Sequence, residues 1–208
     1  MTAWAAPNLD PTPARRALRE LCAPFFEDMS WVDHCRVVDP AQMPPSAQTL
    51  LAHGGHMTAT LRAHYQGVIA LQVQADCALP TLYSRRILLT VDDPRRVVEL
   101  GVVRLNLELM PDSARRAILA KETPLGDVLT SHGVMTKVEP RWFIQFPSSG
   151  PVVECFERGP EAAAFGRVGT IHCNGEEAIE LLEVVAVSEP GAQATGLGVA
   201  GDRNMTPR

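Results

Sequence analysis

The sequence predicts an α+β domain, a mainly antiparallel sheet with flanking helices, and three observations carry that prediction. Two β-rich runs meet at Asn174-Gly175, the dipeptide of a two-residue type I′ hairpin, where both central residues take positive φ. Strand-like runs between Met57 and Leu107 are separated by turn residues alone, as in a meander. Two helical stretches with their own start signals then interrupt the strands between Pro111 and Gly133.

Bulk properties bound the function. A chain of 208 residues closes a good core as one domain. Its formal charge of -5, with arginines only in scattered pairs, argues against nucleic acid as a partner, because phosphate binding needs concentrated basic residues. Neither an apolar run of transmembrane length nor a signal-like start at Met1 to Asp10 is present, so a cytoplasmic protein with no membrane partner is expected. Cys22, Cys35, Cys77, Cys155 and Cys173 never fall in a C-x-x-C spacing and read as reduced packing thiols. His53 and His56 flank Gly54-Gly55 without a third ligand, which reads as a loop and not as a metal site.

In chain order, a proline-containing arm leads into an amphipathic helix over Ala14 to Met29, which Pro24 ends or kinks. Pro40 to Pro45 breaks the chain, and Ser46 to Leu51 suits a short helix before the Gly54-Gly55 turn. Strands are expected at Met57 to Tyr65, Gly67 to Gln74, Leu82 to Val91 and, across Asp92-Asp93-Pro94, Val97 to Leu107. Cap residues at Pro111 to Ser113 precede a helix over Ala114 to Ala120. Thr123 as N-cap, Pro124 at the first helical position and Gly133 beyond the end frame another. Val134 to Phe146 returns to extended structure, 147–166 is irregular, and the hairpin runs from Arg167 to Val187. Beyond Pro190 the tail is poor in large apolar residues and is expected to be disordered. Its G-x-G-x-x-G at Gly196 to Gly201 has no room for a βαβ unit after it. The organisation is thus an arm and covering helix over 1–46, a main domain over 47–190 and a tail over 191–208.

Strand phase nominates the site. Alternation puts Ile179, Leu181, Glu183, Val185 and Val187 on one face, so Glu183 stands in an apolar row and needs a partner or a proton. In Leu82 to Thr90 the same count groups Tyr83, Arg85, Ile87 and Leu89, making Arg85 the inward arginine. The two could form a buried salt bridge or floor a pocket for an anionic ligand, and the pattern leaves both open. The first amides of the helix at Leu125 and Gly126 are free to receive a carboxylate.

The run Arg85-Arg-Ile-Leu-Leu89, then Pro111 to Leu119, then Lys121 to Leu129 (KETPLGDVL), and finally the Asn174-Gly175 hairpin with Leu182-Glu183, resembles the chorismate pyruvate-lyase superfamily. The likeness, closest to its divergent bacterial and archaeal branch, covers about residues 48 to 187. It implies a six-stranded, mainly antiparallel, chorismate lyase-like sheet with helices on one face and flaps over a buried pocket. Position by position, it places the substrate-binding arginine at Arg85 and the acid at Glu183, given one residue inserted after the Gly175 turn. It places the amides that meet a ligand carboxylate at Leu125 and Met57. Leu182 departs from the family's usual Thr, and a later family arginine is missing because Arg104 is out of register.

The activity that the resemblance implies is elimination of pyruvate from chorismate to give 4-hydroxybenzoate, without metal, nucleotide or redox cofactor. Arg85 would bind substrate carboxylate and Glu183 would be the general acid, its pKa raised by apolar neighbours. The alternatives are a lyase or cyclase of the same fold acting on another carboxylated intermediate, and a non-catalytic effector-sensing domain. In every case the partner is a small anionic molecule.

Overall fold

The computed structural model describes residues 9–79, 81–91, 96–156 and 162–188. The expected Asp92-Asp93-Pro94 turn and the tail with its glycine motif lie outside them. Five helices, α1 (Pro11–Cys22), α2 (Pro45–Leu51), α3 (Met57–Tyr65), α4 (Asp112–Ala120) and α5 (Leu125–Ser131), surround one sheet. Its strands are β1 (Arg36–Val38), β2 (Ile69–Ala78), β3 (Leu82–Val91), β4 (Arg96–Asn106), β5 (Thr136–Gln145), β6 (Ala162–Cys173) and β7 (Glu176–Ser188). The fold is α+β. All strand pairs are antiparallel, in the order β1-β5-β6-β7-β4-β3-β2. The sheet therefore has seven strands and not six, the addition being the three-residue β1 that pairs with the end of β5.

Three sequence expectations about elements need correction. Met57 to Tyr65 is a helix, not a strand, closed by Gln66 in the left-handed region at φ 52. Its apolar residues Met57 and Leu61 are spaced by four and are the buried ones, a helical period that the threonines obscure. The first helix stops at Cys22, because Pro24 has no N–H to continue the ladder, and begins earlier, where Asp10 accepts a 2.9 Å bond from the Thr12 amide. The last hairpin is longer than expected, β6 starting at Ala162. Smaller shifts occur elsewhere: Pro124, not Thr123, is the N-cap of α5, and α4 begins at Asp112.

The hairpin itself is as the dipeptide requires. Asn174 and Gly175 take φ of 53 and 95, and Cys173 pairs with Glu176 across the turn. One face of the sheet is covered by α1 and the 150–156 turn, which bury Leu18, Leu21, Val152 and Phe156 against Leu100, Val102, Val168, Leu182 and Val184. The resemblance implied helices on one face only; here both faces carry them. The opposite face has two separate cores. Near α2 and α3, Leu50, Leu51 and Leu61 pack on Ile87, Leu89, Phe165 and Val185. Near α4 and α5, Ile118 and Leu129 pack on Tyr83, Val103, Ile171, Ile179 and Leu181. Between those two cores lies the cavity.

Candidate functional site

Arg85 sits on β3 in the row with Tyr83, Ile87 and Leu89, as the alternation requires, and is 1% exposed. None of the ion pairs among the described residues involves it. Its cross-strand partner Asp76 is held by Lys121 Nζ at 2.7 Å. Arg85 donates one long bond, 3.4 Å, to the Ile118 carbonyl near the end of α4, its Nε makes no hydrogen bond, and the Tyr83 hydroxyl lies beside it and Asp76. Burial pulls its pKa below the usual guanidinium value, and Tyr83 and Asp76 oppose that shift.

Glu183 also faces the cavity, but its partner is Arg167 and not Arg85. The two stand directly opposite each other on β6 and β7, with Arg167 Nε donating to Glu183 Oε2 at 2.5 Å. Arg167 is wholly buried and its other nitrogens are spent on the 51–55 loop. Nη1 donates to the carbonyls of Leu51 at 3.2 Å and His53 at 2.7 Å, and Nη2 to that of Gly55 at 3.1 Å. The Gly54-Gly55 turn therefore wraps a guanidinium; no cluster of three or more potential metal-ligating side chains occurs among the described residues. His53 and His56 both have lowered pKa values, burial being the main cause and Arg167 an additional one.

The amides nominated from sequence come from helix starts. Leu125 opens α5, as expected, and Met57 opens α3, where a strand was expected. Both residues, with Arg85 and Glu183, lie on the wall of the same narrow cavity, of about 40 Å³. The first N–H groups of a helix lack intrahelical acceptors, so these two starts present donors to the space between them. The helices meet through His56 and Gly126: a Cβ on Gly126 would stand 2.9 Å from His56 Cβ.

Two residues of the site escaped the sequence reading. Arg167 alternates with Phe165, Gly169 and Ile171, an apolar row as plain as that of Glu183. Glu99 alternates with Gly101, Val103 and Leu105, and is 3% exposed. A bulge in β4, where Leu89 pairs with Glu99 and Thr90 with Val97, leaves Val98 unpaired and turns it into the same core as Leu89. Glu99 Oε2 has no hydrogen-bond partner. Its pKa is raised well above the glutamate value, first by burial and then by the charge of Glu183, with Arg167 acting against both. Gly101 lies opposite Glu183 on β7 and keeps this corner open, since a Cβ there would meet Ile87 Cγ1 at 2.9 Å and Glu99 Oε1 at 3.2 Å.

Between the turn and Glu183 the strand carries a bulge at Ala178, which the register skips between Ile171–Ile179 and His172–Glu177. Leu182, where a threonine departs, points into the opposite core and is 0% exposed. Arg104 lies outside the cavity and pairs with Glu180.

No family model matches this sequence, and no curated protein matches it. Among the solved structures similar to it are two of PhnF. One is PhnF from Mycobacterium smegmatis, at 14% identity over 64% of this chain and 64% of that one, with a TM-score of 0.46. The other is the effector domain of PhnF from Mycobacterium smegmatis, at 15% identity over 64% of this chain and 88% of that one, also with a TM-score of 0.46. The match spans less than two thirds of the full PhnF chain.

Proposed function

We propose that this chain binds a small carboxylated ligand in the cavity between the two cores, with the carboxylate on Arg85. The observation that carries the reading is the arginine itself: a guanidinium 1% exposed, on a cavity wall, with its cross-strand acid already taken by Lys121. A buried charge without an ion-pair partner is costly, and an incoming carboxylate would supply a bidentate one. The Leu125 and Met57 amides can share the remaining lone pairs. Ile87, Leu89 and Leu181 give the ligand body an apolar bed. On this reading the domain is of the effector-sensing kind, and ligand occupancy is its output.

A second reading is supported by one further observation, the two carboxyl groups of Glu99 and Glu183 in the same cavity. Two neighbouring carboxyl groups, one of which holds its proton to higher pH than usual, are the kind of pair that acid-base chemistry uses. In that reading the protein is a cofactor-independent lyase, with Arg85 binding chorismate and the Glu99–Glu183 pair handling the proton as pyruvate leaves and the ring aromatises. One experiment separates the two. Purified protein is incubated with chorismate, assayed for 4-hydroxybenzoate and pyruvate, and titrated calorimetrically with both ring compounds. Equimolar products that vanish with Arg85→Ala and Glu183→Gln support the lyase. Saturable binding without turnover, lost with Arg85→Ala, supports the sensor. Neither turnover nor binding overturns both.

A further inference from the structure

The cavity has two ends of different character. Arg85 pairs with Val103, and Glu99 with Leu89, so the two side chains start four residues apart along the β3–β4 pair. At about 3.3 Å per residue this is roughly 13 Å of strand, and both side chains line the one cavity. The charged groups near Glu99 are Glu183 from β7 and Arg167 from β6, while His56 ahead of α3 shares the cavity wall and Arg85 stands at the other end. Arg167 is committed to Glu183 and to three backbone carbonyls, which leaves no free cation at this end among the described residues. His56 is already bound to the Thr136 hydroxyl at 2.9 Å.

We propose that Glu99 is a specificity-determining residue that restricts the cavity to ligands with a single carboxylate, docked on Arg85, and an uncharged hydrogen-bonding group at the other end. The proposal rests on the reading that Arg85 receives a carboxylate. Charge counting supports it: Arg167 pairs with Glu183, burial and the neighbouring Glu183 favour the neutral form of Glu99, and Arg85 is left to be balanced by one anion. A second carboxylate would meet the buried Glu99–Glu183 pair with no cation to receive it. A hydroxyl there meets an acid whose Oε2 is 3% exposed in its residue and has no partner, the group that a ligand oxygen would satisfy. Chorismate, with two carboxylates, falls on the disfavoured side.

The test is calorimetric titration at pH 7 of the full chain with benzoate, 4-hydroxybenzoate and terephthalate. The wild-type protein, Glu99→Gln, Glu99→Leu and Arg85→Ala are compared. The expected result is that 4-hydroxybenzoate binds the wild type at least tenfold more tightly than terephthalate and severalfold more tightly than benzoate. Glu99→Gln, which can still donate, keeps the preference over benzoate, and Glu99→Leu loses it. Terephthalate binding the wild type as tightly as 4-hydroxybenzoate would overturn the proposal while leaving the Arg85 reading intact. So would an unchanged benzoate ratio in Glu99→Leu or, were that variant unfolded, a lost preference in Glu99→Gln. Failure of all three acids to bind, or equal binding to Arg85→Ala, would overturn the Arg85 reading and this proposal with it.

Discussion

A glutamate held away from water beside a second carboxylate keeps its proton to higher pH than it would in the unfolded chain, and Glu99 is so placed. Below about pH 4.5 both states of the chain hold that proton, and the burial of the neutral acid contributes fully to stability. As pH rises toward and through the raised folded value, the unfolded chain sheds the proton and the folded one does not, so stability falls, by at most about 1.4 kcal/mol per pH unit. Glu99→Gln removes this term. Urea midpoints measured from pH 5 to pH 8 are expected to show the variant gaining on the wild type as pH rises; a pH-independent difference would contradict the assignment. Arg85 makes a different prediction, because its worth lies in the bound state: Arg85→Ala is expected to weaken carboxylate binding by about 2–5 kcal/mol, read by calorimetry. Residues such as Arg85 and Glu183 were legible in the sequence because each is one charge in an otherwise apolar alternating row. Glu99 and Arg167 carry the same signal. What alternation does not give is the pairing: it leaves Glu183 free to face either arginine, and only the β6–β7 register assigns it to Arg167.

Arg167 ties elements together. It bridges the last hairpin to the loop between α2 and α3, and that loop sets where α3 begins on the cavity wall. Arg167→Leu leaves Glu183 buried without its partner and three carbonyls without a donor. A loss of roughly 3–5 kcal/mol in unfolding free energy is expected by urea denaturation, well beyond that of Glu183→Gln. A loss within 1 kcal/mol would mean that the latch is not structural. The junction of α3 and α5 offers a milder test. Gly126→Ala pushes its Cβ to 2.9 Å from His56 Cβ, so the two helix starts must separate. Weaker carboxylate binding is the expected readout, with a much smaller change in stability. At this scale the hairpin was readable from Asn174-Gly175, since few residues tolerate both positive φ values. The α3 helix was not, because two threonines in Met57 to Tyr65 imitate a strand and only packing of Met57 and Leu61 onto the sheet decides the matter.

For the whole molecule, the sheet separates support from function. One face is sealed by α1 and the 150–156 turn into a continuous core, while the other is divided by the cavity into two. Leu18 is 0% exposed in the sealed core. Leu18→Ala is therefore expected to cost about 2–5 kcal/mol of stability with the carboxylate affinity of the folded protein unchanged. A parallel fall in affinity would show that the two faces are coupled. The α+β class and the antiparallel sheet could be read from turn signals and alternation. The seventh strand could not, because three residues, Arg36 to Val38, carry too short a pattern and are strand only through pairing with β5. The division of one face into two cores likewise depends on long-range pairing that no local pattern records.

If the buried guanidinium of Arg85 receives a ligand carboxylate, titration of 4-hydroxybenzoate into the wild-type protein and Arg85→Ala will show it. Saturable one-to-one binding by the wild type is expected, with its loss in a variant that remains folded by circular dichroism. Equal heats in the two proteins, or none in either, would contradict it.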